Sequence, residues 1–401
     1  MKIKLAVVGG RRGGAFKHAI NLLSGRVELA AVCDLKEEVG KQWQKDFPDI
    51  EVYTDYDKLL NTSDCNAVLI ATPQTIHAEQ SIKALDSGRH VLSEVCAAMT
   101  IEECWGLVDA VERNPHVYML AENVCYFREN MIILNMVKKG LFGEMTWAEG
   151  NYIHDCSNLM FFENGEPTWR GSFRTGFDGN SYPTHGLGPV CQWLGIGSAD
   201  RLESVSTITS KAVSLARYAE KTFGKDHEAA QKEWCMHGDI AVTVIKTESG
   251  AVILQKVDYA SPRPHNPTTS FSLQGTTGAF LSHRHDNEDP LIWLEDRSPV
   301  NEKGIAKEWE SLWKYKDEFD DPRWKKWEKE ASETGHGGGD FFVLEDFVNA
   351  VTENKESPID VYDAVEWSSI IPLSEESVEK LGTPIEVPNF RNAERGSRNA
   401  E

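Results

Sequence analysis

The run from Ile3 to Asp34 constrains this chain more than any other stretch. It holds an apolar strand (Leu5, Ala6, Val7, Val8), the turn Gly9-Gly10-Arg11-Arg12-Gly13-Gly14, a helix, and a second strand that ends on an acid. Glycines let a backbone turn tightly and approach a pyrophosphate, and the helix that follows points its free amides at that charge. Phe16, Ala19, Ile20 and Leu23 recur at helical spacing, which predicts one helix face resting on a sheet. Asp34 stands where a carboxylate takes the ribose hydroxyls of a dinucleotide. A 2′-phosphate there would meet a negative charge, so the run predicts NAD, with Gly9, Arg11, Arg12, Gly13 and Asp34 as cofactor contacts. Arg11 occupies the place of the second glycine of the usual pattern. Arg11 and Arg12 read either as solvated turn residues or as partners of a pyrophosphate or a 2′-phosphate, and the second reading keeps NADP open.

At 401 residues the chain is too long for one ordinary core and fits two domains. Its formal net charge of -21 argues against nucleic acid or an anionic membrane as partner, because both need a basic face. A small neutral ligand fits better. The eight cysteines form no C-x-x-C pair and read as reduced, packed thiols of an intracellular protein. No signal peptide or bilayer-length apolar run is present, so cytoplasm is the expected location.

After Asp34 strands and helices alternate. Strands are expected at Glu51 to Tyr53, Ala67 to Thr72, His90 to Glu94 and Val117 to Leu120, with a helix ending at Gly88 and another opened by the capping box Thr100/Glu103. Near-continuous apolar strands joined by helices predict a doubly wound parallel sheet. Ligands bind outside the carboxyl ends of such strands. The residues there are Thr72, Pro73, Gln74 and His77, then Glu94 and Val95, then Asn123, and all are expected cofactor contacts.

Beyond residue 123 the pattern changes to a helix (Asn130 to Lys139) and period-two strands at 144–152, 202–210, 240–246, 251–259 and 270–274. The expected division is a nucleotide-binding domain over 1–123, an open antiparallel-sheet domain over 124–390, and a disordered tail over 391–401. The tryptophan-rich, charged stretch from Glu302 to Glu333 reads as an amphipathic helical insertion. A late helix at Asp340 to Glu353 precedes an end read as irregular.

This order of domains resembles the Gfo/Idh/MocA superfamily. Ser93-Glu94-Val95, Gly140-Leu141-Phe142-Gly143-Glu144, Tyr152-Ile153-His154-Asp155, Tyr182-Pro183-Thr184-His185-Gly186-Leu187-Gly188-Pro189, Ser261-Pro262-Arg263-Pro264 and Gly335-His336-Gly337-Gly338 are similar to the NAD-dependent α-N-acetylgalactosaminidases of that superfamily. Two features separate the chain from ordinary superfamily dehydrogenases. Val95-Cys96 stands where they carry Lys-Pro, and Ser181 where they carry an aspartate four residues before the catalytic histidine. The glycosidase branch also lacks the lysine. It has Tyr after Arg-Pro, however, where this chain has His265.

The resemblance implies a redox-assisted glycosidase. Hydride leaves the sugar C3, the C2 proton becomes acidic, the C1 substituent leaves by elimination, water adds, and the hydride returns. Such a route needs a base at the C3 hydroxyl and another at C2. His185 is the candidate for the first because imidazole titrates near neutrality. Tyr152 is the candidate for the second, its pKa needing to be lowered by a cation such as Arg170. Tyr182 is expected near nicotinamide and sugar, and Arg170, Thr184, His154 and His265 are expected sugar contacts. The same histidines and tyrosines also read as packing residues. His154-Asp155 lacks a further His at ligand spacing, so no metal is expected. Glu94 and Glu122, which look like a glycosidase carboxylate pair, sit at strand ends of the nucleotide domain and read as cofactor or structural groups. A sugar or cyclitol dehydrogenase or epimerase and a non-catalytic NAD sensor are the alternatives. A homo-oligomer paired through the open sheet face is expected.

Overall fold

Every residue of the first strand, Ile3–Val8 (β1), is buried except Lys4, which is half-buried, as a strand covered on both faces requires. The computed structural model describes residues 2–231, 233–301, 303–304 and 307–391. Within these, β1, Val27–Cys33 (β2), Glu51–Tyr53 (β3), Ala67–Ile70 (β4), His90–Ser93 (β5) and Tyr118–Leu120 (β6) form a parallel sheet in the order β3-β2-β1-β4-β5-β6. The order reverses between β1 and β4, which makes the crevice at their carboxyl ends the place for a dinucleotide. Phe16, Ala19, Ile20 and Leu23 are buried as the helical spacing predicts. The capping box at Thr100 and Glu103 is present with both reciprocal bonds.

The second sheet orders Met145–Ile153 (β7), Leu202–Thr209 (β8), Ala241–Thr247 (β9), Val252–Asp258 (β10), Thr269–Gly275 (β11), Gly278–Leu281 (β12), Leu291–Leu294 (β13), Glu310–Ser311 (β14) and Ile385–Glu386 (β15) as β14-β13-β12-β11-β7-β10-β9-β8-β15. Both expected hairpins, β9-β10 and β11-β12, are antiparallel. The sheet is mixed, however, because β7 and β10 pair in parallel, Tyr152 opposite Val257. One face is buried under the helix Thr184–Leu194, whose Trp193 lies edge-on to Phe271 and Phe280. The other face is polar with scattered apolar residues, including Ile208, Val244 and Leu281.

Contacts divide the chain differently from a single cut at residue 123. Residues 2–127, 322–369 and 389–391 form one unit, and residues 128–321 and 370–388 the other. The segment after 322 joins the first unit because Trp324 donates to the Tyr126 carbonyl at 3.2 Å and Asn123 donates to Asp340 at 2.9 Å. The stretch expected to be irregular after Glu353 contains the helix Val361–Glu379. Its apolar residues are buried around the whole circumference, so it shows no amphipathic stripe for a periodicity search to find, and Pro372 lies inside it. Arg391, expected at the head of a disordered tail, pairs with Asp363 at 2.8 Å and Asp360 at 3.4 Å; the rest of that expected tail, 392–401, lies outside the described residues. The insertion expected from Glu302 is only partly helical, with β14 followed by Lys316–Phe319 and Pro322–Ser332.

Candidate active site

The glycine turn is built for close approach. Gly9 has φ 88°, the left-handed region, and a Cβ there would overlap the Ala71 carbonyl oxygen. A Cβ at Gly13 would overlap Val7, so only glycine lets the helical run beginning at Gly10 dock on β1. Gly14 has open space around it. Asp34 ends β2 half-buried, its Oδ1 accepting from the Lys36 amide at 3.0 Å. Tight glycines at the first helical turn and an acid at the end of the second strand fit a dinucleotide with unphosphorylated ribose. NADP loses support from the second arginine, because Arg12 reaches across to Glu94 at 2.6 Å.

The loop after β4 is tied down at the same edge. Thr72 donates to Gln80 at 2.7 Å, and His77, fully buried, places its two ring nitrogens 2.8 Å from the carbonyl oxygens of Thr72 and Cys96. Pro73 opens the turn at Gln74–Ile76, and Val95 is buried where the superfamily dehydrogenases have lysine. Glu122 caps Val124 at 3.2 Å, a structural bond. Asn123 holds the buried carboxylate of Asp340, which also bonds His336 at 3.0 Å. Burial alone would lower the His336 imidazole. The hydrogen bond and charge of Asp340 outweigh it, so the ring titrates above its ordinary value, with Arg12 opposing and Glu94 assisting. Burial would likewise raise Asp340, and His336 overcomes it, leaving the carboxyl below its ordinary value. Sequence reasoning quoted the Gly335-His336-Gly337-Gly338 run without giving it a role. The His336 to Asp340 spacing of four was the available signal.

In the second unit the structure gathers three of the predicted residues into one aromatic cluster. Tyr152, Tyr182 and His185 have ring centroids 5.0 to 5.2 Å apart in every pairing. Backbone packing sets this distance. A Cβ at Gly150 would overlap the Gly186 carbonyl and a Cβ at Gly186 would overlap that of Gly150, so the helix carrying His185 rests directly on β7. Gln255 and Asn180 hold the turn before the helix, with Gln255 donating to the Pro183 carbonyl at 2.7 Å and accepting from Asn180 at 2.6 Å. Thr184 is fully buried at the start of that helix. Ser181, in the aspartate's place, donates to the Tyr259 hydroxyl at 2.8 Å.

Strand alternation puts Tyr152 and His154 on one side, and the Tyr152 hydroxyl lies 2.9 Å from His154 Nδ1. His154 Nε2 lies 3.0 Å from Nδ1 of the exposed His265. The expectation that Arg170 makes Tyr152 a stronger acid is corrected. Burial holds the phenol well above its ordinary value, Cys156 and Tyr182 add to this, and the Arg170 charge opposes without prevailing. Asp155 is occupied by Ser157, and among the described residues no group of three or more His, Cys, Asp or Glu could hold a metal. A cavity of about 370 Å³ lies on the opposite face of β7, lined by Glu149, Asn151, Lys256 and His283, away from the aromatic cluster.

Residues 126–396 match the glycosyl hydrolase 109 C-terminal domain, and residues 3–122 the oxidoreductase family with NAD-binding Rossmann fold. The chain is 36% identical over 404 residues to a glycosyl hydrolase family 109 protein of Shewanella putrefaciens, covering 97% of this chain and 85% of that protein. The chain belongs to glycosyl hydrolase family 109. This family 109 chain is also 35% identical over 407 residues to an α-N-acetylgalactosaminidase of Shewanella oneidensis, with the same coverage of 97% and 85%. Levoglucosan dehydrogenase, solved with NADH and L-sorbose, shares the fold at TM-score 0.77 and 20% identity, over 98% of this chain and 100% of that one. The chain is therefore an enzyme with an NAD-binding Rossmann domain. No described helix is long and apolar enough to cross a membrane.

Proposed function

We propose that the chain is an NAD-dependent glycoside hydrolase working through transient oxidation of its sugar, and the observation that carries this is the Tyr152–Tyr182–His185 cluster in a family 109 chain. Gly9, Arg11, Gly13, Asp34, Thr72, Gln74, Glu94 and Asn123 would hold NAD, which supplies a hydride acceptor for C3 and later returns the hydride. His185 takes the proton of the C3 hydroxyl, a general-base role of the kind imidazole serves in enzymes. Tyr152 removes the C2 proton acidified by the neighbouring ketone, and loss of the C1 substituent, addition of water and return of the C2 proton complete hydrolysis. Tyr182 frames the sugar, whereas Thr184, fully buried, supports the start of the helix that carries His185. Arg170 supplies positive charge at the Tyr152 hydroxyl, which favours the phenolate against burial. The buried thiols of all eight cysteines support a reducing compartment such as cytoplasm, and the exposed Ile208, Val244 and Leu281 of the open sheet face support pairing with a second copy.

The deciding experiment is a panel of nitrophenyl glycosides with and without added NAD, with exchange of the C2 proton followed in deuterated water. Cleavage with C2 exchange and no net NADH is the expected result. Stoichiometric NADH with intact, oxidised glycoside would make the chain a sugar dehydrogenase, and NAD binding with no turnover would make it a sensor.

A further inference from the structure

The proposed base has a difficulty that its surroundings resolve. Tyr152 is half-buried, and desolvation of its hydroxyl holds the phenol well above its ordinary value, which disfavours a phenolate waiting for substrate. His154 and Cys156 both lie at its hydroxyl. Cys156 Sγ is 4.0 Å away and buried, its thiol pushed up to about 11 by burial. His154 Nδ1 is 2.9 Å away and continues through Nε2 to His265, which is exposed to solvent.

We propose that Tyr152, His154 and His265 form a proton relay that connects the base at the sugar C2 to solvent, a role that rests on Tyr152 being that base. One set of tautomers satisfies all the contacts. The Tyr152 hydroxyl donates to Nδ1 of His154, whose Nε2–H donates to Nδ1 of His265, leaving the Nε2–H of His265 as the outermost proton. A single shift along this chain breaks the Tyr152 O–H bond and forms Nδ1–H on His154. It also breaks Nε2–H on His154, forms Nδ1–H on His265, and gives the His265 Nε2 proton to a water or buffer base. Tyr152 is left as phenolate and both imidazoles as neutral rings of the other tautomer. No electrons change owner. The phenolate then takes the C2 proton: the C–H bond breaks, its electron pair passes into the enolate, and a new O–H bond forms on Tyr152. Tyr152 later gives a proton back to C2 and is phenolate again; the reverse shift, taking a proton from water at His265 Nε2, then re-forms the Tyr152 O–H bond and resets the chain. His154 and His265 act through Tyr152.

Two measurements test this on the full-length protein. The first is the single-turnover rate of aglycone release that follows reduction of bound NAD, for wild type and His265→Ala, with and without added imidazole. With the relay cut, the Tyr152 hydroxyl proton has no path to solvent, so this rate should fall roughly tenfold or more, and imidazole should restore it. An equal rate in the variant overturns the relay, as does a loss that imidazole leaves unrepaired and that saturating glycoside abolishes, the mark of a sugar contact. The second needs no turnover: nitrogen-15 NMR of histidine-labelled protein should show His154 as the Nε2–H tautomer, and the Nδ1–H tautomer would overturn the hydrogen-bond order. Wild-type protein with the expected tautomer but no cleavage of any glycoside would remove the hydrolase reading and leave the hydrogen-bond chain standing, so a failure of that reading is distinguishable from a failure of the relay.

Discussion

Gly150 and Gly186 lie backbone against backbone, each occupying space that a Cβ on the other would need. One is two residues before Tyr152 and the other directly follows His185, so this contact sets the spacing between these two side chains, the proposed proton acceptors. Replacing Gly150 by Ala forces the Thr184–Leu194 helix off β7. Overpacking of this kind costs roughly 1–3 kcal/mol. The melting temperature should fall by several degrees and hydrolysis should fall further than the stability loss explains, while NAD affinity is retained. Thermal unfolding and cofactor titration on the same preparation check this, and wild-type hydrolysis in the variant would show that the contact does not govern the site.

The proposed mechanism gives His185 and Tyr152 separate steps. His185→Ala should abolish both reduction of bound NAD and cleavage, a loss on the order of 10²–10⁴-fold. Tyr152→Phe should leave transient reduction visible in rapid-mixing absorbance while slowing C2 exchange and aglycone release. If the Phe variant blocks reduction as completely as the Ala variant, the division of labour is wrong.

Asp34 should set the choice of cofactor. A 2′-phosphate beside its carboxylate meets a like charge, costing on the order of 1–2 kcal/mol at a partly solvated site. Asp34→Ser should therefore narrow the NAD-over-NADP preference by about tenfold in a binding titration. Equal affinities in wild type would move the choice to Arg11.

The His336–Asp340 pair should give stability a pH signature. The His336 contribution is fully present below its ordinary value of 6.5 and fades as pH rises through its raised folded value; the Asp340 contribution is present above 3.8 and fades as pH falls through its lowered folded value. The difference in melting temperature between wild type and Asp340→Asn should thus be largest between pH 3.8 and 6.5 and shrink on either side. Unfolding curves across pH 3 to 9 would measure it, and a difference that keeps growing above pH 8 contradicts the pairing.

The nucleotide-binding half was legible because its signals are local. A strand, a glycine turn, a helix face at spacing 3 and 4, and an acid at the next strand end all fall between Ile3 and Asp34, and the Thr100/Glu103 box is four residues long. The period-two strands of the second half were legible for the same reason, and His185, Tyr152 and Tyr182 were singled out as candidates through resemblance. Tertiary structure alone decided what those residues do to one another. The parallel pairing of β7 with β10, the contact of Gly150 with Gly186, and the bond from Asn123 to Asp340 join segments far apart in the chain, and no periodicity encodes them. The shift at Tyr152 was misjudged for a related reason. A nearby arginine can be guessed from sequence, but the desolvation that outweighs its charge depends on how completely the surrounding chain closes over the phenol.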